Sequence, residues 1–108
     1  LGKLTEQQLY EALSVQQNLP LETLSTNEIT PSTIRALPAD ILRRWKVLPF
    51  RIQAGRLFLA GPELPSDRMS LEVRRFSSLE LRFHLLTPSE YEKLAKEFLP
   101  PDPRQNNG

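Results

Sequence analysis

A chain of 108 residues, 25% charged and 39% hydrophobic, has the composition of an ordinary soluble globular protein and the length of one domain with a single modest core. A net charge of +1 argues against a dedicated nucleic-acid binder, and the absence of Cys excludes disulfides and thiolate metal sites. No apolar run approaches the length of a bilayer-spanning helix, and no charged-then-apolar leader with a small-residue cleavage site is evident, so neither a membrane span nor secretion is expected.

The first helix is expected from Thr5 to Gln17. Thr5 and Gln8 have the spacing of a capping box, and Leu9, Ala12, Leu13 and Gln16 follow helical spacing, with Glu6 and Glu11 on the wet side. Pro20 and the polar run to Asn27 mark a connector. Pro31 opens a short helix carrying Ile34 and Leu37. Pro38 suits the first position of the next helix, which holds Ile41, Leu42 and Trp45 and turns Arg43 and Arg44 outward.

The period then changes. Leu48, Phe50 and Ile52 alternate with Pro49, Arg51 and Gln53, as in a half-buried strand, and Pro49 requires an edge position or a bulge because it has no N–H to donate. Ala54-Gly55 reads as the tight turn of a hairpin into Arg56–Ala60. Ser66 is placed to cap a helix running to Ser77, with Met69, Val73 and Phe76 on one face. In a third strand Leu79, Leu81, Phe83 and Leu85 point one way, Glu80, Arg82 and His84 the other. The last helix starts with Thr87 as N-cap, Pro88 at the first position and Glu90 completing a second capping box, then carries a Tyr91, Leu94, Ala95, Phe98 stripe. The expected fold is α+β: four to five helices around a small, three-stranded, mainly antiparallel sheet, in the order α-α-α-β-β-α-β-α. Residues 1–99 are expected to form one domain and the Pro-rich stretch 100–108 a disordered tail.

Catalytic machinery is not legible. His84 is the sole histidine and falls mid-strand, where a surface or hydrogen-bonded role suffices. One His without Cys makes no common zinc site, so no metal ligands are assigned. Gly55 and Gly61 lack the Gly-Lys-Ser/Thr of a phosphate loop, no G-x-S-x-G is present, and the carboxylates fall in separate elements. An enzyme is not expected.

Binding is better supported. Between Arg35 and His84 ten basic residues face five acidic ones, whereas the rest of the chain holds four basic and eight acidic. Arg43, Arg44 and Trp45 cluster at one helix end and Arg74 and Arg75 at another, with Arg51, Arg56 and Arg82 on strands. The cations complement helix dipoles there; brought together, their guanidinium forks suit a phosphate or an acidic protein surface. Arg43, Arg44, Trp45, Arg51, Arg74 and Arg75 are therefore the candidate docking patch.

Three segments in order carry a family resemblance: G-K-L-T-E-Q-Q-L-Y-E-A-L-S-V-Q-Q-N-L-P-L, L-P-A-D-I-L-R-R-W-K-V-L-P-F, and G-R-L-F-L-A-G-P. Together they resemble the N-terminal domain of type II secretion and type IV pilus assembly ATPases. The same domain also occurs at the C-terminal end of bacterial inner-membrane family 2 glycosyltransferases of the phage adsorption protein B type. The resemblance implies a small domain without catalytic activity of its own, cytoplasmic at the inner-membrane face, that docks a protein partner or the catalytic part of its parent chain. In MshE-type members, paired leucine-rich motifs bind cyclic di-GMP. The positions here that match one such motif are Gly2, Leu4, Leu9, Leu13 and Gln16, with Lys3 standing where an aliphatic residue is preferred and without the Arg-Leu-Gly start. The abrupt opening suggests a segment upstream, and the Leu99-Pro100-Pro101-Asp102-Pro103 finish resembles a chain terminus.

Overall fold

A computed structural model describes residues 4–99. Among these, α1 (Glu6–Gln17) leads through a 3-10 turn (Thr26–Glu28) to α2 (Pro31–Ile34) and α3 (Ala39–Trp45), then β1 (Leu48–Gln53), β2 (Arg56–Gly61), α4 (Asp67–Arg74), β3 (Glu80–Leu85) and α5 (Pro88–Phe98). The architecture is the α+β arrangement expected. The assigned tail, 100–108, lies outside the described residues.

The sheet order is β1-β2-β3, with β1 and β2 antiparallel and β2 and β3 parallel. "Mainly antiparallel" therefore needs correcting to an equal mixture. The reason is α4: a helical crossover carries the chain back so that β3 starts from the same end as β2, whereas a direct return would have reversed it. The hairpin turns on Ala54 and Gly55, both left-handed at φ 54° and 74°, the backbone that a two-residue primed turn needs.

Pro49 does mark both an edge strand and a bulge. The pairing passes from Pro49↔Leu59 directly to Arg51↔Phe58, leaving Phe50 as the extra residue. This shift breaks the expected alternation: Leu48, Pro49 and Phe50 are all buried, and Ile52 is left half exposed. In β3 the alternation holds, with Leu81, Phe83 and Leu85 in register with Leu57, Leu59 and Gly61.

Most of the core gathers on the sheet face that carries Leu57 and Leu59. Leu57 and Leu59 of β2 are fully buried there in one cluster with Ile41 and Leu42 of α3, Met69 and Val73 of α4 and Leu94 of α5, while Leu48 and its partner Ala60 are fully buried at one end of the opposite face. Burying one such leucine contributes about 2 kcal/mol. The caps are as expected at Thr5 and Ser66, whose hydroxyls accept from the Gln8 and Met69 N–H groups. At α5 Thr87 accepts from the Glu90 N–H, but the Glu90 carboxylate accepts from the Leu24 N–H at 3.1 Å, so the second capping box is only half made. Pro38 is the N-cap of α3 rather than its first residue. α4 stops at Arg74, short of Ser77, and Phe76 leaves the buried stripe to stand half exposed.

Candidate functional site

α1 has no buried residue at all. Its capping box, with the Thr5 N–H donating to Gln8 Oε1 and the Gln8 N–H to Thr5 Oγ1, both at 3.0 Å, fixes its start, and left-handed Asn18 (φ 55°) ends it. Polar bonds hold it to the body: the Tyr10 hydroxyl donates to the Pro62 carbonyl at 2.6 Å, and the Glu6 carboxylate accepts from the Ser89 N–H and hydroxyl. Burial pushes the Tyr10 hydroxyl's pKa up, and the nearby Glu6 and Glu63 charges add to the effect, so it remains a donor.

The apolar residues of the helix are consequently spare. Leu4 is 66% exposed, Leu9 51% and Val15 83%. Leu13 is half-buried and Gln16 exposed, while Gly2 lies outside the described residues. Four of the five motif positions thus fall in one segment, and Leu9, the central one, is not part of the core. Where α1 ends, Ser14, Val15, Asn18, Leu19 and Pro20 line an open cleft of about 430 Å³. Beyond it Leu85 and the strap at Pro20–Glu22 exchange backbone hydrogen bonds, and His84 Nδ1 meets Glu22 Oε2 at 2.6 Å.

The candidate docking patch divides. At the α3–α4 contact, Arg44 Nη1 and Trp45 Nε1 both donate to the Glu72 carboxylate at 2.6 Å. Arg75 lies close enough to Glu72 to help depress its pKa. Arg74 and Arg75 are exposed at the end of α4. Arg43, expected to face outward, is half-buried, and its Nη2 is buried without a hydrogen-bond partner among the described residues. Arg51 is elsewhere: it lies over Phe50 and Phe58 on the open sheet face, at 5.1 and 5.3 Å from the ring centroids. Tyr10, Glu72 and the Glu22–His84 pair were not legible as contacts, because their partners lie 27 to 62 residues away in sequence with no periodic signal.

Among the described residues no group of His, Asp and Glu is arranged to hold a metal ion, and no helix is long and apolar enough to cross a membrane.

Comparison with known proteins adds a family. The MshEN domain model matches residues 17–105 and so begins at the last residue of α1, leaving the leucine-rich positions outside the match. Among solved structures, MshE with cdg (cyclic di-GMP) is similar at 22% identity and a TM-score of 0.73, over 88% of this chain and 69% of that one. The N-terminal domain of XpsE is similar at 21% identity and a TM-score of 0.66, over 88% of this chain and 67% of that one. At these identities the structural likeness speaks for the fold. No curated protein matches the chain.

Proposed function

This chain belongs to the MshEN domain family, the N-terminal domain type of secretion and pilus ATPases, and on that premise we propose a non-catalytic regulatory and docking domain of a larger bacterial protein. The parent is a secretion or pilus ATPase, or an inner-membrane glycosyltransferase, and the domain works at the cytoplasmic face of that membrane. It engages either a protein partner or the catalytic part of its own parent.

One observation carries the reading. α1 is held in place by Tyr10 and Glu6 through polar bonds, yet none of its apolar side chains is fully buried and Leu9 and Val15 stand exposed. Surplus apolar surface on a fixed helix favours an external contact, since solvent exposure of Leu4, Leu9 and Val15 brings the isolated domain no stability. The test is to change Leu4 and Leu9 to Arg in the full-length parent. Loss of partner binding or of control over the parent's activity, with the domain still folded, is expected; unchanged behaviour rejects the reading.

A second reading is favoured by the similarity to MshE with cdg: the same helix face binds cyclic di-GMP, with Leu9 and Leu13 packing against it and Gln16 hydrogen-bonding. Calorimetric titration of cyclic di-GMP into the full-length parent separates the two. Saturable heat that disappears with Gln16→Ala makes the domain a second-messenger sensor. Absence of heat in a folded sample leaves protein docking alone.

A further inference from the structure

The second face of the sheet carries its own site. The register pairs Arg51 of β1 with Phe58 of β2, and Phe58 with Arg82 of β3, so one aromatic ring is flanked on both strands by guanidinium groups. With strands about 4.8 Å apart, the two arginine backbones are separated by about 10 Å, within the combined reach of their side chains over the ring. Arg56 stands two residues before Phe58 on the same strand and therefore on the same face. Arg51, Arg56 and Arg82 are exposed, and Phe58 is half-buried.

The charges on this face do not cancel. Glu80 is shared between Arg56, at 3.4 Å, and Arg82, at 2.6 Å. Arg51 has no carboxylate partner among the described residues and rests instead on the Phe50 and Phe58 rings. At one end of the face His84 is occupied by Glu22. Three guanidinium groups against the Glu80 and Glu22 carboxylates, with His84 counted neutral, leave an excess of one positive charge, centred on Arg51 beside an aromatic floor, which is half-built recognition of carboxylates adjacent to an apolar side chain.

We infer that the exposed end of this sheet face, centred on Phe58 with Arg51, Arg56 and Arg82, docks an acidic, partly apolar segment of a protein. A protein fits better than a nucleic acid, because the chain as a whole is nearly neutral, with a net charge of +1. The side chains stand on a sheet surface, where an extended or helical segment lies flat and presents two carboxylates to Arg51 and Arg82 together. This surface is distinct from the α1 face and does not depend on its role.

The test uses the 108-residue chain and a fluorescein-labelled peptide alternating Glu and Leu, with the matching Gln–Leu peptide as control. Binding of the Glu peptide alone is expected, weakening with salt, with backbone NMR shifts confined to β1, β2 and β3 around Phe58. Arg51→Gln and Arg82→Gln together are expected to weaken it about tenfold. Glu80→Gln, which frees Arg56 and Arg82, is expected to tighten it, and this second variant keeps the test decisive should the arginine pair fail to fold. Leu9→Ala on α1 should leave this affinity unchanged. Equal binding of the Gln peptide, shifts mapping to α1 or α4, an unaffected arginine variant, or tighter binding of single-stranded oligothymidine at this face would overturn the inference.

Discussion

Trp45 donates its indole N–H to Glu72 Oε1 at 2.6 Å, while Arg44 meets the other carboxylate oxygen, so a single side chain of α4 ties down the end of α3. The Trp45 hydrogen bond is the largest influence holding the Glu72 carboxyl below its ordinary value of 4.5, against the opposing effect of burial and with help from Arg44 and Arg75. A depressed carboxyl stabilises the fold above its unfolded-state value and loses that contribution as pH falls through the folded-state value. The melting temperature of Glu72→Gln is therefore expected to lie below that of the unaltered chain at neutral pH. The gap should narrow on acidification below 4.5. Thermal melts across that range check it, and a gap independent of pH would show that the charge plays no part.

Gly61 is fixed by close approach. A Cβ at this position would come within 2.3 Å of the Lys46 carbonyl oxygen, which is backbone and held by the left-handed C-cap of α3. Gly61→Ala is expected to cost about 3 kcal/mol, read from urea denaturation, because neither strand nor cap yields without breaking its own hydrogen bonds. Gly55→Ala meets no such atom and suffers only its positive φ.

The hairpin leaves room for improvement. Ala54 occupies the left-handed region at φ 54°, where an ordinary L-residue is strained by about 1 kcal/mol and Asn less so. Ala54→Asn should raise stability by about 0.5 kcal/mol, measured by the same denaturation, with the sheet unchanged.

A contrast between two leucines tests where the core ends. Leu59 is fully buried and Leu9 is 51% exposed. Leu59→Ala should cost about 3 kcal/mol, and Leu9→Ala less than about 0.5 kcal/mol. A large loss at Leu9 would place α1 in the core and remove the basis for a free binding face.

Local signals were fully written in the sequence. The Thr5–Gln8 box, the Ser66 and Thr87 caps, the Ala54-Gly55 turn and the bulge forced by Pro49 all depend on neighbours within a few residues, so their chemistry can be read along the chain. The family resemblance read from three ordered segments was borne out by the domain match over residues 17–105. The tertiary structure alone decided the parallel pairing of β3, because strand direction follows from where a crossover helix deposits the chain. It also decided that Glu90 serves Leu24 rather than its own cap, and that Arg51 parts from Arg44 and Arg75 to stand over Phe58. Nor did helical spacing reveal that the Leu9 face of α1 would stay in water. Periodicity identifies an apolar face; only the packing of distant elements determines whether anything covers it.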